Sequence, residues 1–163
     1  TDRWPNEICN VNGLEGLDKL RLLYLEKCTS LEDLTSLAKC SSLQVLRLCG
    51  CSKLMDITPL EQCRALEIVD LRETKVKITQ TLGKLGKLRH LDIGLTPLDN
   101  VDDLSECKNL ESVQVDGSPY KPNEGCQNFN GLMHLPKLNH VSGIPNQVVA
   151  TLLRKHKPID SPK

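Results

Sequence analysis

The residues with the widest chemical repertoire in this 163-residue chain are its eight cysteines and four histidines. Thiolates and imidazoles hold zinc when they recur as close pairs, and a thiolate beside a base is a nucleophile. The spacing suits neither use well. The only close pair is Cys49-Gly50-Cys51, with one intervening residue where zinc motifs carry at least two. Cys126, His134 and His140 fall together late in the chain. A thiol- or metal-dependent enzyme would have to be built on Cys49 or on that triplet. The sequence contains no G-x-S-x-G, H-E-x-x-H or G-x-G-x-x-G motif. Gly83-Lys84-Leu85-Gly86-Lys87-Leu88 lacks the spacing and the following Ser/Thr of a phosphate loop, and Asp102-Asp103 reads as a solvated pair of carboxylates. The expectation is therefore no catalytic residue, no metal and no cofactor.

Most of the cysteines are explained by register. The pattern L-x-x-L-x-L recurs as Leu20-Leu23-Leu25, Leu43-Leu46-Leu48, Leu66-Val69-Leu71, Leu88-Leu91-Ile93 and Leu110-Val113-Val115, at intervals of 23, 23, 22 and 22 residues. A sixth, partial unit starts at Leu138 with Val141, after a gap of 28. Eight residues past each first leucine stand Cys28, Cys51, Thr74, Thr96 and Ser118, where a small side chain can bond the turn that leaves a strand. Three residues before each first leucine stand Leu17, Cys40, Cys63, Leu85 and Cys107, and three before those Leu14, Leu37, Leu60, Leu82 and Leu104. Steps of three suit one helical or 3₁₀ turn. Five cysteines are thus core spacers, consistent with the behaviour of a free thiol as a small hydrophobe. Stacked equivalents would point in parallel, so a disulfide framework is not expected. Cys49 is expected as an ordinary exposed thiol.

These residues resemble the leucine-rich repeat over roughly 14–145, in a short class of 22–23 residues similar to phosphatase-regulator repeats. The phrase Leu48-Cys49-Gly50-Cys51-Ser52-Lys53-Leu54 also resembles the cysteine-containing repeats of plant immune receptors and kinetoplastid parasites. The resemblance implies an α/β right-handed solenoid, with a parallel sheet on its concave side, short helical or 3₁₀ segments on its convex side and a cap at each end. Residues 1–13 would be the N-terminal cap, with Trp4, Ile8 and Val11 covering the first repeat. Residues 14–116 would be the regular repeats, and 117–145 a last, irregular repeat with a loop insertion. Residues 146–163 would form a capping helix and tail, with Asn146 capping a helix that carries Val148, Val149, Leu152 and Leu153 on one face. The insertion Gly117–Gly131 holds Tyr120 and Phe129, and it reads either as a binding element or as part of the cap.

Side chains alternate along a strand, so the residues between the core leucines face the concave side. One row reads Leu22, Val45, Ile68, His90, Ser112, His140; the next reads Tyr24, Arg47, Asp70, Asp92, Gln114, Ser142; a third holds Glu26, Cys49, Arg72, Gly94 and Asp116. Leu22, Val45 and Ile68 form an apolar strip beside Tyr24, Arg47, Asp70 and Arg72, with His90 and Asp92 beyond. An apolar centre rimmed by charge, with Tyr and Arg present, has the composition of a protein-binding hot spot. Sheet propensity alone is the competing explanation for the strip. The resemblance implies a non-enzymatic module that presents this surface to a protein or peptide. The alternative is a structural subunit of a ribonucleoprotein or cytoskeletal assembly, bound through the convex face or the ends.

Composition narrows the partners. Lys+Arg and Asp+Glu both count 21 and the pI is near 6.8, so the basic footprint of a nucleic-acid binder is missing. Aromatics are only 2% against 29 leucines, which suits thin, similar layers and leaves no stacking platform for bases. The longest apolar run is about four residues, far short of the roughly 18 needed to span a bilayer. The first residues show no basic-then-apolar leader, and no N-x-S/T sequon occurs. A reducing intracellular setting, the cytoplasm first, and a monomer or hetero-complex member are expected. Charge is segregated: Arg72–His90 carries six basic residues and one acidic, and Asp99–Asp116 six acidic and one basic. Solvated faces are the default explanation; the alternative is that opposed fields of this kind orient a partner.

Overall fold

The computed structural model describes residues 8–77, 79–98, 100–115, 128–144 and 146–155. Six three-residue strands, β1 (Leu22–Tyr24), β2 (Val45–Arg47), β3 (Ile68–Asp70), β4 (His90–Asp92), β5 (Ser112–Gln114) and β6 (His140–Ser142), form one parallel sheet in chain order. The middle residue of every strand turns inward, so Leu23, Leu46, Val69, Leu91, Val113 and Val141 stack in register.

The segments between strands pack behind the sheet. They contain 3₁₀ turns at Thr35–Lys39, Thr58–Gln62, Asp102–Glu106 and Asn130–Leu132, and the short helix α1 at Gln80–Gly83. A side-chain oxygen starts most of them: Thr35 and Thr58 donate their N–H to the carboxylate Oδ1 of Asp33 and Asp56 at 2.8 Å, and Asn130 donates to the amide Oδ1 of Asn128 at 3.0 Å. Each such bond satisfies a donor that a helix start leaves orphaned. Leu37, Leu60, Leu82 and Leu104 are then driven into the core and are fully buried.

The core cysteines do more than fill space. Cys63 Sγ–H donates to the Leu37 carbonyl at 3.0 Å, Cys107 to Leu82 at 3.2 Å and Cys51 to Leu25 at 3.1 Å. In each case the acceptor lies in the preceding repeat, so the thiol ties adjacent layers together. Thr74 and Thr96, at the register position of Cys51, instead donate to their own strand exits, Leu71 O at 2.7 Å and Ile93 O at 2.5 Å. Four successive repeats also place a left-handed residue just after the strand: Lys27, Gly50, Glu73 and Leu95, with φ of 59°, 77°, 58° and 56°.

The two ends differ. Toward the C-terminus Phe129, Leu132, Leu135 and Leu138 are buried. Helix α2 (Asn146–Lys155) buries Leu152 and packs Val148 against the core. Asn146, Val149 and Leu153 lie in that helix, but their side chains fall outside the described residues, as do Trp4, Ser118, Tyr120 and Cys126. At the N-terminus Val11 is buried, as expected for a covering residue. Ile8 and Leu17, by contrast, are 44% and 46% exposed, so the expected cover and the expected core position are both corrected there. Among the described residues no layer lies outside the first repeat, and none of them covers Ile8 or Leu17.

Candidate functional site

The face of the sheet opposite the 3₁₀ turns is a regular grid. The strand register aligns Leu22, Val45, Ile68, His90, Ser112 and His140 in one row and Tyr24, Arg47, Asp70, Asp92, Gln114 and Ser142 in the next. Every residue singled out on β1–β4 is on this face. Leu22 and Tyr24 are 52% and 56% exposed. Val45, Ile68, Asp70, His90 and Asp92 are half-buried, and Arg47 is exposed.

The electrostatics divide the grid in two. On the N-terminal side the Arg47 guanidinium lies 5.6 Å from the centre of the Tyr24 ring and 3.8 Å from Glu26. Such a cation–π contact stabilises by about 0.5–1 kcal/mol at an exposed site and holds both side chains in one arrangement. Toward the middle, Asp70 and Asp92 are direct neighbours on β3 and β4. Asp70 accepts the Arg72 N–H at 3.0 Å and Asp92 accepts the Gly94 N–H at 2.8 Å. Burial pushes the Asp70 carboxyl above its ordinary range; the Arg72 N–H opposes the shift, the Asp92 charge adds to it and Arg47 offsets part of it. Arg72, in the third row, is half-buried and reaches Glu73 at 3.5 Å.

An open trough of about 290 Å³ runs over this centre, lined by Arg47, Ile68, Asp70, His90, Asp92, Ser112, Gln114 and His140 among others. Ser112 and Gln114 belong to it as much as the residues on β1–β4 do; the same strand alternation points to them. His90 Nδ1 and Ser112 Oγ lie 2.8 Å apart, which fixes the imidazole against β5. The arrangement offers apolar contact, a stacked cation and two carboxylates on a rigid sheet, a set suited to polar and apolar side chains of a polypeptide.

The thiols are positioned differently. Cys49 is half-buried, not openly exposed as expected, because the strand-exit ladder packs around it. Burial, then the Asp70 and Glu73 charges, raises its thiol, which disfavours the thiolate a nucleophile needs. Burial pushes Cys51 and Cys63 up to about 11 and Cys107 up to about 12. His134 and His140 are both exposed. Among the described residues no group of three or more His, Cys, Asp or Glu is placed to hold a metal ion. No helix among them is long and apolar enough to cross a membrane.

No family model matches the sequence, and no curated protein matches it. Solved structures do match its fold. Internalin C2 of Listeria monocytogenes superposes with a TM-score of 0.62 at 19% identity, over 82% of this chain and 66% of that one. An internalin (inlF) of the same organism gives 0.60 at 18% identity, over 78% of this chain and 42% of that one. The leucine-rich-repeat ectodomain of the receptor kinase SOBIR1 from Arabidopsis thaliana gives 0.49 at 21%, over 66% and 60%. The chain is a leucine-rich-repeat solenoid. It spans just under two thirds of the first of these neighbours and less than half of the second.

Proposed function

We propose that this chain is a non-enzymatic protein-interaction scaffold that presents its concave sheet to a protein or peptide partner. One observation carries the reading: Tyr24 and Arg47, both exposed, are held against each other beside an in-register strip of Leu22, Val45 and Ile68. Aromatic and arginine anchors next to apolar ground are the side chains that dominate binding energy at protein interfaces. A short parallel sheet, backed from the second repeat onward by buried leucines such as Leu43, Leu46 and Leu48, keeps these anchors in place before the partner arrives, so little order is lost on the scaffold's side. The contact set is Leu22, Tyr24, Val45, Arg47, Ile68, Asp70, Arg72, His90 and Asp92. The Tyr24→Ala/Arg47→Ala double variant tests the reading by comparison with wild type in affinity capture followed by mass spectrometry. The scaffold reading expects proteins enriched by wild type to be lost from the variant while its melting temperature is kept. An unchanged capture profile overturns it.

A further inference from the structure

The guanidiniums of the concave rows are already engaged. Arg47 stacks on Tyr24 and lies 3.8 Å from Glu26, and Arg72 lies 3.5 Å from Glu73. Asp70 and Asp92 stand side by side on β3 and β4, strands about 4.8 Å apart. Neither has a salt-bridge partner among the described residues. Their hydrogen bonds leave half of each carboxylate open. Asp70 Oδ1 accepts the Arg72 N–H and Asp92 Oδ1 accepts the Gly94 N–H, while Oδ2 of each has no partner among the described residues. Both side chains are half-buried, so water screens their mutual repulsion poorly. Burial raises the Asp70 carboxyl and the Asp92 charge adds to the shift, the behaviour of a pair short of a cation. The rest of the trough suits a side chain better than a bare ion. Ile68 lies two residues before Asp70 on the same face, and no third His, Cys, Asp or Glu among the described residues joins the pair as a metal ligand.

We propose that this part of the trough is an arginine-recognition subsite, in which a guanidinium of the partner polypeptide seats between Asp70 and Asp92 and its aliphatic stem lies along Ile68. The inference rests on the concave sheet being the partner-binding surface, and it names what that surface selects. Charge complementarity calls for a cation, and the geometry selects arginine over lysine. A guanidinium carries its donors on a planar fork, so one group reaches oxygens on two adjacent strands at once, where an ammonium acts as a point charge. It is also more weakly hydrated, so entering a half-buried trough costs it less. The arginine stem is apolar and gains from contact with Ile68 while its charged end stays at the carboxylates. Arg47 does not compete for the seat, because Tyr24 and Glu26 hold its guanidinium toward β1. The subsite lies one strand beyond those anchors, so an arginine seated here brings the neighbouring partner residues over Leu22, Val45 and Tyr24.

A peptide array probed with the labelled chain tests the subsite. The probes are random-sequence peptides free of other basic residues, in three series that fix Arg, Lys or citrulline at the centre; citrulline keeps the shape of arginine without its charge. Wild type should bind the Arg series at least about tenfold more strongly than the citrulline series, with the Lys series between them. The Asp70→Asn/Asp92→Asn variant keeps both Oδ1 acceptors for the Arg72 and Gly94 amides, so it should fold with a melting temperature no lower than wild type and bind the three series equally. Tyr24→Ala/Arg47→Ala should weaken all three series and leave the Arg series ahead, so failure here and failure of the scaffold reading are told apart. An Arg series bound by wild type no better than the Lys or citrulline series, or an Arg preference that survives in the folded Asp70→Asn/Asp92→Asn variant, overturns the proposal.

Discussion

Gly131→Ala should destabilise the last repeat severely, and the structure fixes both the reason and the scale. Gly131 is buried in the 3₁₀ turn Asn130–Leu132, directly against the backbone of the preceding repeat. A Cβ there would lie 1.9 Å from the Val101 carbonyl oxygen, 2.7 Å from its carbon and 2.8 Å from Asp102 Cα, all under the 3.0 Å that real Cβ contacts respect. The obstacle is backbone on every side, so two turns must separate by more than an ångström. Overpacking of this kind costs about 1–3 kcal/mol or somewhat more. Separation also strains the Val101 N–H···O=C Asn128 bond, 3.1 Å long, worth about 1 kcal/mol. A loss of roughly 3–4 kcal/mol follows, or on the order of 10 °C in melting temperature for a domain of this size. Gly83→Ala, where Cβ would meet the Asp103 carbonyl at 2.6 Å, should cost less. Gly86→Ala, with nothing within 4 Å, should be neutral or slightly stabilising. Urea unfolding of the three variants measures the order. Gly131→Ala within about 1 kcal/mol of wild type, or Gly86→Ala as damaging as Gly131→Ala, would refute the close-approach argument.

Four further outcomes are open to measurement. Thiol labelling of the native chain near neutral pH should modify exposed Cys9 readily and half-buried Cys49 slowly; Cys28, Cys40, Cys51, Cys63 and Cys107 should react only on unfolding. Because folding raises the Cys51, Cys63 and Cys107 thiols to about 11, 11 and 12, the stability they contribute is complete below their unfolded range near 9 and is lost as pH climbs through 11 to 12. A melting temperature that holds constant to pH 12 contradicts this. Gly50→Ala should cost about 1–2 kcal/mol, since φ is +77° and Cβ would sit 3.3 Å from Lys27 Cγ; Gly50→Asn should cost less in the same urea assay. Asp70 binds its proton more tightly folded than unfolded, so its ionised form subtracts stability as pH rises through that raised value. Asp70→Asn should therefore melt higher than wild type at neutral pH and equal to it in acid.

The repeat was legible because leucines at intervals of 22–23 residues leave one way to stack, and a period-two strand then dictates which residues share a row. That is why the sequence places Leu22, Val45, Ile68 and His90 in one row of the concave face and Tyr24, Arg47, Asp70 and Asp92 in the next row of that face. Side-chain identity at a register position was less informative. Cys51 and Thr74 occupy equivalent places, yet one thiol bonds the preceding repeat and one hydroxyl bonds its own, a choice set by donor length and local packing. The left-handed turn was hidden because Lys27, Glu73 and Leu95 carry no glycine signal, and only Gly50 does. Leu17 carries the same periodic signal as Leu85, yet it is exposed among the described residues, because burial in a stack depends on the layers on either side, which one repeat's pattern does not encode. The half-burial of Cys49 likewise arises from neighbouring repeats, not from its own.

The concave sheet is the proposed partner-binding surface. Hydrogen-exchange footprinting of the chain with a captured partner reads that directly. Added protection should concentrate on β1–β4 and their exits at Glu26, Arg72 and Gly94, with the convex turns Thr35–Lys39 and Thr58–Gln62 unchanged. Protection confined to those convex turns, with the sheet unaffected, would contradict the central claim.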